Sequence, residues 1–279
     1  MIKSYAKINL SLRVVQKLKN GFHDIQSNNL LLDLHDKIEI TKTDKKKDII
    51  IFKGPFKKMV SSYKNSIKDT ILNLKKYKLI SKKNYYKIIV NKKIPVFAGF
   101  GGGTSNSFFL IKYLVKKKIE NKIKNIFEKK LGSDLGIFSF KQSFQKKLGC
   151  FTQYKKKYIF TFLLVYPNIK CSTKYIYSKV KNYSERSKLN NIRFNSKSYF
   201  LNEMKKDRND LERIVLKKYK KIEQVIDLIS TQKGCYFSRL TGSGSACFGI
   251  FKSRKLAYKG LKIVKNKFPK YWCVVSKTI

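Results

Sequence analysis

Four glycines at Gly99, Gly101, Gly102 and Gly103, followed by Thr104 and Ser105, constrain this chain more than any other stretch. Residues 85–90 upstream read as a strand, and residues 105–117 downstream place Phe108, Phe109, Leu110, Tyr113 and Leu114 at helical spacing. Glycines at such a junction let the backbone approach an anion closely. The unpaired N–H groups at the helix start, with the positive end of its dipole, then hold phosphate. The run is a phosphate cradle. It is not a Walker A loop, because no Gly-Lys-Ser/Thr follows, and it lacks the GxGxxG spacing of dinucleotide folds.

The rest of the chain supplies strands and helices without a parallel βαβ rhythm, which predicts an α+β fold. Residues 2–15 and 22–40 alternate apolar and polar side chains, as in Ile8, Leu10, Leu12 and Val14, and residues 48–53 form a further strand candidate. Residues 64–79 carry Ile67, Ile71, Leu74 and Leu79 at helical spacing, and residues 158–166 form a continuous apolar run typical of a buried strand. A long helix is expected over 208–230, then a strand ending at Arg239, a glycine turn, a strand over 246–251, a helix over 254–267 and a last strand over 271–276. A chain of 279 residues exceeds the usual single-domain size, and we expect two domains, residues 1–155 and 156–279.

A net charge of +47 invites a polyanionic partner, but the residue types argue otherwise. Of 64 basic residues seven are arginine, the side chain preferred for bidentate recognition of phosphate and guanine. The lysines are spread along the whole chain and accompany abundant Asn, Ile, Tyr and Phe, which share A/T-rich codons. We read the charge as compositional drift and expect no specific nucleic-acid partner. Cys150, Cys171, Cys235, Cys247 and Cys273 are odd in number, far apart and free of any CxxC pair, as suits buried thiols in a reducing compartment. The N-terminal residues lack the apolar core of a secretory signal, and no run of about 18 apolar residues occurs. The expectation is a cytoplasmic protein with no membrane partner, a monomer or weak homodimer.

Five short motifs give the chain a family resemblance. Residues 95–106, Pro95-Val96-Phe97-Ala98-Gly99-Phe100-Gly101-Gly102-Gly103-Thr104-Ser105-Asn106, resemble the PxxxGLGGGSSN motif of the 4-diphosphocytidyl-2-C-methyl-D-erythritol kinases, members of the GHMP superfamily. Tyr5-Ala6-Lys7-Ile8-Asn9-Leu10 is similar to that family's PAKxNL, Gly21-Phe22-His23 to its GYH, Leu131-Gly132-Ser133-Asp134 to its LGAD, and residues 240–246 to its C-terminal (S/T)GxG loop. The resemblance implies a two-lobed GHMP kinase fold, with a ribosomal protein S5 domain 2-like N-terminal lobe and a ferredoxin-like C-terminal lobe. It also implies ATP-dependent phosphorylation of the 2-hydroxyl of 4-diphosphocytidyl-2-C-methyl-D-erythritol in the non-mevalonate isoprenoid pathway.

Carried over residue by residue, the resemblance makes Asp134 the base that accepts the hydroxyl proton and Lys7 its partner, neutralising charge on the transferred group. Pro95, Gly99, Gly101, Gly102, Gly103, Thr104 and Ser105 would bind ATP, with Mg²⁺ bridging its β- and γ-phosphates and Ser105 as the protein contact to the metal. Asn9, Phe22, His23, Thr241, Gly242, Ser243 and Gly244 would bind the diphosphocytidyl substrate, His23 reading the edge of the base. The chain departs from the family pattern at Tyr5 and Phe22, at Gly136 where proline is usual, and at Phe97 and Ala98 where glycines are frequent. Two alternatives stand beside this reading. One is a GHMP kinase of another small alcohol, homoserine or mevalonate, against which the Ala6-Lys7-Ile8-Asn9 and Gly21-Phe22-His23 blocks argue. The other is an inactive lysine-rich relic that binds nucleic acid.

Overall fold

The alternation at the start of the chain folds as two long paired strands in the computed structural model, which describes residues 1–116, 118–187 and 194–279. β1 (Ile2–Lys17) turns through residues 18–22 into β2 (His23–Thr43), and Leu18 N donates to the Phe22 carbonyl at 2.8 Å. Each strand contributes to two compact units. The first contains Met1–Lys7, Leu34–Val96 and Gly101–Ser139, and the second Ile8–Asp33, Phe97–Phe100 and Phe140–Ile279.

In the first unit β2 is followed by β3 (Ile49–Lys53), α1 (Ser66–Lys76) and β4 (Tyr85–Asn91). β4 runs antiparallel to β2, from Lys37 opposite Asn91 to Thr43 opposite Tyr85, and parallel to β3. Asn65 caps α1 by accepting from Lys68 N at 3.0 Å. α2 (Gly102–Leu114) and α3 (Asn121–Leu131) complete the unit, with a 3-10 turn at Leu135–Ser139. Ile38, Ile67, Ile71, Ile88, Val90 and Leu110 form one cluster of buried side chains in which strand and helix faces meet. Each such burial contributes roughly 1.5–3 kcal/mol.

The second unit joins the remaining parts of β1 and β2 to β5 (Gln142–Lys147) and β6 (Cys150–Gln153), Ser27 lying opposite Gln145 and Asn29 opposite Ser143. There follow β7 (Thr161–Tyr166), α4 (Thr173–Ser178), α5 (Lys197–Lys206), α6 (Glu212–Lys218), α7 (Lys220–Ser230), β8 (Cys235–Leu240), β9 (Cys247–Phe251), α8 (Arg254–Lys267) and β10 (Trp272–Lys277). Four of these strands form an antiparallel sheet in the order β10-β7-β9-β8, a split βαβ arrangement with β7 inside, as its apolar run requires. Ile222, Val225 and Ile229 of α7 and Ala257 and Val264 of α8 share a buried cluster with Leu163, Val165, Cys247 and Phe251 of the sheet.

The architecture is α+β, as the element order predicts. One element differs from expectation. The helix expected over 208–230 begins only at Glu212, because residues 208–210 are held extended against β1, with Leu12 N donating to the Arg208 carbonyl at 2.9 Å and Asp210 N to the Leu12 carbonyl at 2.8 Å. Tyr219, at φ −129° and ψ 77°, then separates α6 from α7. No helix among the described residues is long and apolar enough to cross a membrane.

Candidate active site

Within the first unit, the last residue of its β1 segment is Lys7, 4% exposed, and its Nζ lies 3.0 Å from Asp134 Oδ2. The lysine is buried by its stem, which packs where a side chain on Gly101 would otherwise be. A Cβ at Gly101 would sit 3.1 Å from Cγ and Cε of Lys7 and 3.1 Å from the Phe138 ring, and φ at that residue is +68°. Only glycine meets both demands. Gly101 is also the N-cap of α2 and offers no side-chain acceptor there, while Ser105 N makes the first intrahelical bond, to the Gly101 carbonyl at 2.8 Å. The N–H groups of Gly102, Gly103 and Thr104 precede that bond and point out of the helix start, as an anion cradle requires.

Asp134 reaches this position through the turn after α3. Thr104 Oγ1, in the first turn of α2, donates to the Leu131 carbonyl at 3.4 Å, and Leu135 N donates to the Gly132 carbonyl at 3.0 Å. Asp134 is left 29% exposed, close enough to solvent to exchange a proton with a bound molecule.

A second lysine–aspartate pair supports the cradle from beneath. Lys92 pairs with Asp36, at 3% and 0% exposure, through a short contact to Oδ2, and Asn106 Nδ2 donates to the same oxygen at 3.1 Å. Asp36 Oδ1 accepts from Lys93 N at 2.7 Å and Ile94 N at 2.9 Å, which fixes the chain entering Pro95. Asn106 also donates to Ser4 Oγ at 2.8 Å, which lies 2.8 Å from Ser105 Oγ, and Ser105 donates to the Tyr5 carbonyl at 2.6 Å. The chain of bonds thus ties α2 to β1 two residues before Lys7. Sequence reading missed Asp36, whose neighbours Leu34 and His35 give no sign of a buried carboxylate.

The second unit carries the other residues singled out above. Asn9 is 2% exposed; its amide donates to Ser27 Oγ and Asn29 Oδ1, both at 2.8 Å, and its backbone N to Thr241 Oγ1 at 2.9 Å. Turn 241–244 is held by Asn209, whose amide donates to the Leu240 carbonyl at 3.0 Å and the Gly242 carbonyl at 2.8 Å. Ser243 Oγ lies 2.9 Å from Thr173 Oγ1, and Gly244 N donates to the Thr241 carbonyl at 3.0 Å. His23, beside Phe22 at the β-turn, has its ring 5.0 Å from that of Tyr177 at 35° and 6.5 Å from that of Tyr183 at 34°. Burial, and then the nearby Lys17, pushes its pKa below the usual 6.5, which leaves a neutral ring with one donor and one acceptor at neutral pH. Neither tyrosine stood out in the sequence, where both lie in a lysine- and tyrosine-rich stretch.

The arrangement gathers Lys7, Gly101, Gly102, Gly103, Thr104 and Asp134 in one unit, and Asn9, Phe22, His23, Gly99 and residues 241–244 in the other. Ser105 is present in the first but fully buried, its hydroxyl engaged by Tyr5 and Ser4, a geometry that does not suit a ligand to Mg²⁺. Among the described residues no group of three or more His, Cys, Asp or Glu side chains could hold a metal ion.

Comparison with known proteins returns a consistent picture. The family model described as GHMP kinases C terminal matches residues 194–270. A protein of Pelagibacter ubique (strain HTCC1062) named 4-diphosphocytidyl-2-C-methyl-D-erythritol kinase is 38% identical over 286 residues, covering 100% of this chain and 98% of its own. One of the same name from Thermodesulfovibrio yellowstonii (strain ATCC 51303 / DSM 11347 / YP87) is 30% identical, covering 99% of this chain and 97% of its own. Among solved structures, that of a 4-(cytidine 5'-diphospho)-2C-methyl-D-erythritol kinase superposes with a TM-score of 0.74 at 17% identity, covering 99% of this chain and 98% of that one.

Proposed function

The chain belongs to the 4-diphosphocytidyl-2-C-methyl-D-erythritol kinase family of GHMP kinases, enzymes that transfer phosphate to an alcohol, and from that premise we propose how its own residues carry the reaction. The chain phosphorylates the 2-hydroxyl of 4-diphosphocytidyl-2-C-methyl-D-erythritol with ATP as phosphate donor. Asp134 accepts the hydroxyl proton as that oxygen bonds to the γ-phosphorus. The bond from the γ-phosphorus to the β–γ bridging oxygen breaks in line, and ADP leaves. Lys7 and the N–H groups of Gly102, Gly103 and Thr104 offset the negative charge that gathers on the phosphoryl group. The observation that carries this reading is the 3.0 Å Lys7–Asp134 pair in the same unit as a helix start capped by a glycine.

Neutral His23, flanked by Tyr177 and Tyr183, suits a cytosine, whose Watson–Crick edge carries both donors and acceptors and whose ring stacks on aromatic faces. Asn9 and turn 241–244 position the rest of the acceptor. Mg²⁺ bound with ATP would neutralise charge on the phosphates. The division of labour does not follow the sequence halves, because Asn9, Phe22 and His23 of residues 1–155 serve the acceptor together with turn 241–244 of residues 156–279. The five cysteines are free thiols, and burial pushes Cys171, Cys235 and Cys273 up to about 11, as suits unreactive packing groups in the reducing cytoplasm.

An ATP-dependent phosphorylation assay with the diphosphocytidyl substrate, mevalonate and homoserine in competition tests the proposal. Turnover of the first alone, lowered by about 10²–10⁴ in Asp134→Asn, is the expected result. Preference for either other alcohol would overturn the substrate assignment, and an active Asp134→Asn would overturn the base.

A further inference from the structure

Residues 181–187, in the connection between α4 and α5, add almost nothing to the core. Ser184 alone among them is buried, and Tyr183 is 46% exposed. Chain of this kind is ordinarily mobile, because no apolar burial offsets the entropy lost in fixing it. Here it is fastened to the β1–β2 hairpin at three points within four residues. Ser184 N donates to the Val14 carbonyl at 2.8 Å, Ser187 N donates to Gln26 Oε1 at 2.7 Å, and Arg186 pairs with Asp24 between them.

The Arg186–Asp24 pair is the centre of that attachment. The guanidinium meets Asp24 Oδ2 in a short contact and also donates to the Lys146 carbonyl at 2.9 Å. Asp24 is 4% exposed, and its Oδ1 accepts from Leu148 N at 2.8 Å, in the turn between β5 and β6. One buried carboxylate therefore joins residues 181–187, the β5–β6 turn and the start of β2, and it does so at the residue next to His23. A carboxylate taken out of water is costly, and a pair whose arginine side chain is 45% exposed returns little stability. What the pair supplies is position. Tyr183 stands one residue before Ser184, and its ring lies 6.5 Å from that of His23 at 34°.

We propose that Arg186, acting through Asp24, is a positioning residue for the acceptor: it holds Tyr183 against His23, so that the two rings form one wall of the pocket for the pyrimidine base. The inference rests on the function proposed above and deepens its account of the base site. All of these residues belong to the second unit. An aromatic ring fixed in advance stacks on a base without the entropy cost of being ordered on binding, whereas a ring on a released segment would incur it.

The test measures acceptor KM, ATP KM, kcat and Tm in the full chain for Arg186→Gln, Arg186→Lys, Tyr183→Ala and the double variant Arg186→Gln/Tyr183→Ala. Glutamine lacks the charge and the fork that reaches Asp24 and the Lys146 carbonyl together. Arg186→Gln should raise the acceptor KM about three- to fivefold, with kcat and ATP KM within about twofold and Tm within about two degrees. Arg186→Lys, which keeps the ion pair, should recover most of that loss. Tyr183→Ala should raise the acceptor KM about five- to tenfold, and the double variant should be no worse than Tyr183→Ala alone, since Arg186 acts through the ring. An unchanged acceptor KM in Arg186→Gln, an equal rise for ATP, or effects that multiply in the double variant would overturn the proposal and leave the kinase reading intact. Failure of the wild type to use the diphosphocytidyl substrate would overturn both.

Discussion

Two lysine–aspartate pairs in the first unit have the same chemistry and opposite surroundings. In Lys92–Asp36 the aspartate is fully buried and both its oxygens accept further bonds, from Asn106 and from the backbone of Lys93 and Ile94. In Lys7–Asp134 the lysine is equally buried, but the aspartate is 29% exposed on a short turn. A saturated carboxylate holds a loop, whereas a half-open one can exchange its partner for a reacting group. Residue type and pairing alone do not distinguish frame from reagent. Exposure and saturation of the second partner do.

Removing each aspartate probes that contrast most strongly. Asp134→Asn is expected to lower kcat by about 10²–10⁴ and to cost less stability than the loss of Asp36, because the amide oxygen still accepts from Lys7. Asp36→Ala is expected to destabilise the fold by about 3–5 kcal/mol, because it leaves the Lys92 ammonium buried and uncompensated. Chemical denaturation and steady-state kinetics on both variants check the pair, and a large Tm loss in the first with none in the second would invert the comparison. Gly101→Ala falls between them. The added methyl would press on the Lys7 stem and Phe138 at a residue with φ +68°, and we expect a loss of about 1–2 kcal/mol in stability with a several-fold higher ATP KM.

The smallest effect lies outside both pairs, at His23. Its pKa in the fold is below 6.5, so the unfolded chain binds more protons as the pH falls. The contribution of His23 to stability is therefore full above pH 6.5 and lost as pH falls through the lower folded value. Tm of wild type should fall more between about pH 7 and pH 5 than that of His23→Gln, by roughly a degree or two. An equal fall in both would remove His23 from the acid response.

Much of this was legible in the sequence where the signal is local. Alternation identified β1 and β2, the apolar run identified β7, and the glycine run marked the start of α2. Long-range partners were not legible. Asp36 and Lys92 are 56 residues apart and meet only through the pairing of β2 with β4. Asn209 reaches turn 241–244 because residues 208–210 lie against β1, a contact that also delays the start of the expected helix to Glu212. The tyrosines beside His23 follow it by more than a hundred residues, and their spacing carries no period. The half-exposure of Asp134 depends on packing around Gly132 and Thr104 that no composition or motif encodes.

The interleaving of the two units also bears on how the chain acquires its fold during synthesis. Residues 8–33 emerge long before Arg239, Asn209 and Thr241, the partners of Leu10, Leu12 and Asn9 in the second unit. At about 5–20 residues per second, these early strands wait roughly 10 to 40 seconds for the residues that complete them. For that interval their apolar faces are unpaired on the ribosome, so the nascent first strands are where a holding chaperone would engage this chain.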